Sequence, residues 1–175
     1  MSNFYDVVYV NRDGRSAPVD PSATDNPYFG HSSLAKSVLM GDLGTIRWRT
    51  KDHGAKQLHF KSPAIAVIDP SSDLLIVVLG FGDTQFRRPS NAAAFRANSD
   101  LDHVITPPEV VEQVIEQLPG QAPRSVRYPV EAMTEVLLND NRVLIGMDFR
   151  YEWIERRYYD PARQQWLERD QIYRR

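Results

Sequence analysis

The chain has 175 residues, of which 42% are hydrophobic and 25% are charged, and its formal net charge is −2. These values are typical of a single globular domain and not of a strongly basic chain, so nucleic acid is not expected as a partner. The lack of cysteine excludes a disulfide scaffold, a thiol nucleophile and a Cys-ligated zinc site. No secretory signal opens the chain and its longest apolar stretch is short, so we expect a cytoplasmic protein without a membrane partner.

The first half of the chain predicts mostly strands. Residues 4–10 are β-branched and aromatic, which favours a first strand, and residues 11–27 are rich in Asp, Ser, Pro and Asn, which indicates a long loop. Residues 31–40 are typical of a short helix. Further strands are predicted over 45–50, 57–60, 64–68 and 74–79, the last two joined by a turn. Because these last two runs are apolar throughout, we expect both of their faces to be buried.

A helix is predicted over 106–118. Thr106 is a suitable N-cap, Glu109 completes a capping box with it, and apolar residues then recur at helical spacing. The opposite face of this helix would carry Glu109, Glu112 and Glu116. Together with Asp100 and Asp102, these carboxylates belong to a segment that has no lysine or arginine.

The end of the chain alternates between apolar and polar residues with period two. The pattern predicts one long strand from Val143 that continues to Tyr159, then a turn at Asp160-Pro161 and a partner strand over 166–173. Residues 131–138 fit a strand or a helix, and a turn follows them. The predicted fold is therefore α+β, a single domain over 1–175. It would be an antiparallel β-sheet meander with a long C-terminal strand and hairpin, and two or three helices would cover one face.

Residues 157–170 carry a local resemblance. Arg157-Tyr158-Tyr159-Asp160-Pro161, followed by Trp166-Leu167 and Arg169-Asp170, resembles the end of the Rhs/YD-repeat core. Gln164, Gln165 and Gln171 stand where that family has Gly, Arg and Pro. The resemblance implies a hairpin and, if it reflects kinship, a structural fragment related to Rhs shells.

Catalytic and metal-binding patterns are weak. Asp100, Asp102 and His103 include ligand types for a metal, but Asp residues are also common in a loop that leads into a helix, so no metal and no cofactor are predicted. The chain lacks a Gly-x-Ser-x-Gly elbow and a phosphate-loop motif. Arg47 and Arg49 alternate with Trp48, which indicates a core tryptophan beneath solvated arginines more strongly than a nucleic-acid-binding strand.

The leading functional hypothesis is a non-catalytic protein-binding module of the immunity or antagonist type. Its acidic surface would consist of Asp100, Asp102, Glu109, Glu112 and Glu116 and would bind a protein with a basic cleft. The alternative is an enzyme or small-molecule binder with a pocket on a curved sheet, by analogy with nuclear-transport-factor-like folds. That pocket would be lined by Tyr151, Trp153, Tyr158 and Trp166.

Overall fold

The computed structural model describes residues 2–11, 13–19, 44–51, 54–80, 83–108, 114–150 and 153–174. These ranges contain strands and turns and no helix, so the predicted α+β class is wrong and this part of the protein is all-β. The helix predicted over 106–118 is also wrong, because Val114–Glu116 is a strand. The helix predicted over 31–40 lies outside the described residues. Among the residues that are described, none belongs to a helix that could cross a membrane.

The described residues form fourteen strands in three four-stranded antiparallel sheets and one separate hairpin. The strands are β1 (Tyr5–Val10), β2 (Ser16–Pro18), β3 (Thr45–Thr50), β4 (Gly54–His59), β5 (Ala64–Asp69), β6 (Leu74–Leu79), β7 (Ala92–Phe95), β8 (Leu101–Ile105), β9 (Val114–Glu116), β10 (Arg124–Val126), β11 (Ala132–Asn139), β12 (Arg142–Phe149), β13 (Trp153–Asp160) and β14 (Gln165–Arg174). The first sheet has the order β2-β1-β3-β4, the second β5-β6-β7-β8 and the third β11-β12-β13-β14, while β9 pairs with β10.

The second sheet is the middle layer, because hydrophobic cores cover both of its faces. Leu75 and Val77 of β6 belong to the core shared with Trp48 of the first sheet. The alternate residues Ile76 and Val78 belong to the core shared with the third sheet. All of β6 is buried, which confirms the expectation that this apolar run has no solvent-facing side.

Buried polar side chains join the first sheet to the second. The Tyr9 hydroxyl accepts a hydrogen bond from the Ala66 backbone N–H at 2.8 Å, and Trp48 Nε1 donates to the Ala97 carbonyl at 2.9 Å. Both aromatic rings are buried, so each fills the core and places its polar atom against backbone that would otherwise lack a partner. These bonds fix how the two sheets sit on one another.

The third sheet is a meander and not one long strand with a partner. β12 and β13 run antiparallel, with Val143 opposite Tyr159, and the chain turns at Arg150, which has φ +51°. The predicted continuous strand from 143 to 159 is therefore wrong. Its pairing with the 166–173 segment is confirmed for the β13 half, where Tyr159 lies opposite Trp166.

Several other strand predictions are confirmed, including 45–50 and the hairpin of β5 and β6. The ambiguous segment 131–138 forms a strand from Ala132 onwards, and the turn after it has Asp140 and Asn141 at φ +50° and +60°, as a type I′ hairpin turn requires. Within the predicted loop 11–27, the described part contains the short strand β2.

Candidate functional site

A chain of hydrogen-bonded polar side chains crosses the seam between the second and third sheets. His103 of β8 places Nδ1 2.8 Å from Asp102 Oδ2 and Nε2 2.9 Å from the hydroxyl of Tyr159 on β13. Because a carboxylate only accepts, Nδ1 carries a proton that it donates to Asp102. The Arg96 guanidinium donates to the other carboxylate oxygen at 2.7 Å.

A β-bulge explains how two consecutive residues serve one network. Ala94 pairs with His103 and Phe95 pairs with Leu101, which leaves Asp102 as an extra residue on β8. A bulge breaks the alternation of side chains and re-aims one of them. Here it lets Asp102 lie beside His103 while His103 still points at the third sheet.

The pKa shifts in this network are consistent with a structural hydrogen-bonded link between the two sheets. The hydrogen bond from His103, and after it the one from Arg96, lower the pKa of Asp102, so its carboxylate is charged at neutral pH. Burial raises the pKa of Tyr159 to about 12, and the Asp160 and Asp102 carboxylates add to this shift. Tyr159 therefore stays protonated and is not a nucleophile at neutral pH.

The surroundings bury the His103–Tyr159 end of this network. The His103 side chain is only 8% exposed, and the Tyr159 ring packs 5.0 Å from the Trp166 ring. Trp166 Nε1 in turn donates to the Thr106 carbonyl at 2.8 Å, a second bond from the third sheet to the end of β8. The order Asp–His–hydroxyl matches that of a nucleophilic triad, but here it anchors β8.

An open cleft of about 530 Å³ lies beside Asp102, and its polar groups are largely engaged within the protein. Asp73 on its wall accepts hydrogen bonds from the Ser2 hydroxyl and from the backbone and side chain of Asn3. Arg96, also on the wall, is committed to Asp102. A ligand would have to break these contacts to bind through the same groups, which disfavours the cleft as a small-molecule site.

The residues of the predicted acidic surface are not brought together as a helix face. Glu116 lies on β9 with its side chain only 4% exposed, and it binds the guanidinium groups of Arg124 and Arg150 and the Tyr128 hydroxyl. It is therefore neutralised inside the fold. Glu109 and Glu112 lie outside the described residues.

Of the two remaining acidic residues, Asp102 belongs to the seam network already described. Asp100 is exposed beside β8 and contacts the Asn98 side chain at 2.7 Å. The described part of the acidic segment thus keeps one exposed carboxylate, at the start of the edge strand.

The residues of the predicted aromatic pocket also do not lie together. Trp153 and Trp166 pack against the core between the second and third sheets. Tyr158 lies on the opposite face of β13, where the Arg142 guanidinium stands 3.9 Å from its ring centre and Asn139 donates to its hydroxyl. Tyr151 lies outside the described residues. The three described rings therefore do not line one pocket.

Sequence reasoning missed the exposed edge of the second sheet. β8 is the last strand of that sheet in the described structure, and its Leu101 and Val104 are 46% and 42% exposed. Leu101 lies opposite Phe95 and Val104 lies opposite Ala93, and Phe95 and Ala93 share one face of the sheet. Leu101 and Val104 are three residues apart, and the bulge between them places both on that same face. The apolar residues of 101–105 are the available signal in the sequence, but the aspartates beside them favour the prediction of a loop that leads into a helix.

Comparison with known protein families, with curated proteins and with solved structures finds no match to this chain. The residues that resemble the Rhs/YD-repeat core form the hairpin of β13 and β14, and kinship with that family stays a prediction. No group of three or more His, Asp or Glu side chains that could hold a metal occurs in the part of the chain that the structure describes.

Proposed function

We propose that this protein is a non-catalytic protein-binding module that binds an extended segment of its partner along β8. The observation that carries the proposal is the exposure of Leu101 and Val104 on one face of an edge strand. An edge strand offers backbone N–H and C=O groups to a peptide that adds to the sheet, and pockets or apolar side chains beside it give specificity.

The seam network supports this function by holding the edge still. The hydrogen bond between His103 and Tyr159 joins β8 to the third sheet. The hydrogen bond from Trp166 holds Thr106, the residue that follows β8. A rigid edge lowers the entropy lost when a partner strand binds. The residues with catalytic side-chain types thus have a role in positioning the binding surface.

The charge beside the edge supports a partner with basic groups. Asp100 is exposed next to Leu101, so a Lys or Arg of the partner strand can lie beside it. An immunity-type or antagonist role in the cytoplasm, in which the partner is a toxin or enzyme, is the finer form of this proposal.

Affinity capture from the native host, followed by mass spectrometry, tests the proposal. The wild-type protein should enrich a partner that the Leu101→Lys/Val104→Lys variant loses at least about tenfold, because lysines on an edge strand oppose pairing. Both substitutions are on exposed side chains and should change stability by no more than about 0.5 kcal/mol each.

The matched control is Ile115→Lys/Leu118→Lys. These side chains are also exposed, at 74% and 39%, but they lie on β9 and just after it and not on the edge of a four-stranded sheet. The control should keep the partner. Equal capture by the β8 variant and the wild type would refute the proposed surface.

A further inference from the structure

A second bulge shapes the outer face of the first sheet. Tyr5 pairs with Arg49 and Val8 pairs with Arg47, so two residues of β1, Asp6 and Val7, lie opposite the single residue Trp48 of β3. Asp6, at φ +50°, stands at this irregularity. In a regular strand Tyr5 would share a face with the inward-pointing Tyr9, and the bulge instead turns it outwards.

The bulge has a consequence on each side of the strand. Phe4 enters the core, where its ring centre lies 5.6 Å from that of Trp48. Tyr5 is left 43% exposed on the same face as Arg49. Bulges that re-aim a side chain are over-represented next to functional sites.

The outer face of the first sheet also carries two arginines that no carboxylate among the described residues pairs with. Arg47 and Arg49 are exposed, and neither forms an ion pair with any described residue. Arginines that do pair with a carboxylate in the described structure include Arg96, Arg124, Arg142, Arg150, Arg156, Arg157 and Arg163. Trp48 is 0% exposed on the inner face, which confirms the prediction that it belongs to the core.

We propose that this face, formed by Tyr5, Arg47, Arg49, Gln57 and His59, binds single-stranded nucleic acid. An exposed aromatic ring offers a stacking platform for a base, and arginines beside it bind the phosphates. Gln57 lies opposite Arg47 on β4 and is exposed, so its amide can reach base edges. An open antiparallel sheet face is wide enough to receive splayed-out nucleotides.

The charge of this face differs in sign from the net charge of the whole chain. Arg47 and Arg49 contribute +2 to this face and Asp6, at the bulge, contributes −1, so the local charge is 2 − 1 = +1, whereas the chain carries −2. A nucleic acid responds to charge within about 8 Å at physiological ionic strength, so local charge decides its binding.

The composition of the face favours nucleic acid over an acidic protein. Interfaces with nucleic acid are more polar and much more positively charged than protein–protein interfaces. Here the centre is Arg47, which lies between half-buried Val8 and exposed Gln57. This inference goes beyond the proposed protein-binding function and concerns a different surface from β8.

Fluorescence anisotropy with a labelled oligothymidylate and a labelled oligouridylate of about 15 nucleotides tests the proposal. The wild-type protein should bind at about 20 mM salt and weaken as salt rises. Arg47→Gln/Arg49→Gln should weaken binding at least about tenfold and reduce the steepness of the log–log salt dependence by about 1.4, since each lost phosphate contact removes about 0.7. Tyr5→Ala should weaken binding about tenfold, whereas Tyr5→Phe, which keeps the ring, should bind like the wild type.

Arg127→Gln is the charge control, because Arg127 is exposed near β10 and far along the chain from the face. It should leave binding unchanged, and circular dichroism should show that every variant keeps its β structure. The proposal is overturned if the wild type does not bind either oligonucleotide at low salt, or if the Arg47/Arg49 and Tyr5→Ala variants bind as well as it does. Binding of poly-glutamate in place of the oligonucleotides would assign the face to an acidic protein and would also overturn it.

Discussion

Asn91 shows how much one polar residue can contribute inside an apolar seam. It is 0% exposed, its amide nitrogen donates to the carbonyls of Leu79 and Met133, and its oxygen accepts from the Met133 N–H at 2.8 Å. β11 has an irregular register between Met133 and Glu135, where the backbone departs from regular pairing with β12. The primary amide serves both backbone groups of Met133 and has a second N–H for the Leu79 carbonyl, whereas a hydroxyl has one donor and a carboxylate has none.

Asn91→Ala should lower the free energy of unfolding by about 2–4 kcal/mol, because it leaves buried backbone groups without partners. Equilibrium unfolding in urea measures this loss. Asn98→Ala is the control, since Asn98 is exposed and contacts only its own turn, and it should change stability far less. A loss of under about 1 kcal/mol for Asn91→Ala would mean that water or relaxation replaces the amide.

Tyr159 should make the protein sensitive to alkali. Its pKa is raised from 10.0 to about 12 in the folded state, so the folded state holds the proton more tightly than the unfolded state does. The stability from this difference is present below pH 10 and is lost as pH rises to about 12, which amounts to about 2 kcal/mol. Unfolding free energies of Tyr159→Phe and the wild type across pH 8 to 12 should converge towards high pH, with Tyr159→Phe the flatter of the two. Parallel curves would contradict the account.

At the scale of the element, Gly146 on β12 makes room for a cross-strand ion pair. Glu135 of β11 reaches over it to Arg156 of β13 at 2.7 Å, and Tyr173 of β14 donates to the same carboxylate at 2.6 Å. A Cβ atom at position 146 would lie 2.8 Å from Glu135 Oε2 and 2.9 Å from Glu135 Cβ. The glycine therefore lets one side chain of β11 reach across β12 and bond to both β13 and β14.

Gly146→Ala should destabilise the protein by about 1–3 kcal/mol, since the side chain of Glu135 must shift and its bonds to Arg156 and Tyr173 weaken. Thermal unfolding of this variant beside Glu135→Gln separates the two causes. Glu135→Gln loses the charge but not the space, so it should cost less than Gly146→Ala. The reverse order would show that the ion pair, and not the close approach, dominates.

Strands whose turns carry sequence signals could be predicted, and strands joined by unmarked turns could not. The hairpin of β5 and β6 has Asp, Pro and Ser between its apolar runs, and Asp69 caps that turn by accepting from Ser71 and Ser72. The turn after β12 has Arg150 at positive φ, where Gly or Asn would be the usual sequence signal. Because that signal is missing, the alternating pattern of β12 and β13 predicts one continuous strand.

The predicted helix over 106–118 failed for a different reason. Its capping box and apolar spacing are local signals, but Val114–Glu116 pairs with Arg124–Val126, and the Glu116 side chain is buried there and forms an ion pair with Arg124. Tertiary contacts override helix propensity, which is weak for valine and isoleucine. Without the helix, the predicted acidic helix face does not form. The exposed edge of β8 depends on the order of strands in the second sheet, which the sequence does not reveal.

At the scale of the whole molecule, the middle sheet must be thin enough for two layers to pack on it. β7 supplies three consecutive alanines, and all of them are 0% exposed. Ala93 faces the first sheet and Ala94 faces the third. Small side chains at these positions let large ones from the outer sheets fill the space.

Ala93→Leu should therefore destabilise the protein by about 1–3 kcal/mol although it adds apolar volume, because the packed seam cannot widen without moving a whole sheet. Ala55→Leu is the matched control, since Ala55 is exposed on β4 and should change stability little. Urea unfolding of both variants measures the difference. A neutral Ala93→Leu would contradict the tight three-layer packing.

Amide hydrogen exchange along β8, in the free protein and in its complex with the captured partner, tests the proposed function most directly. We expect the outward-facing amides of Leu101–Ile105 to exchange readily in the free protein, because no described strand pairs with them. They should slow markedly in the complex as a partner strand adds to the edge. Unchanged exchange in β8, with new protection elsewhere in the molecule, would contradict it.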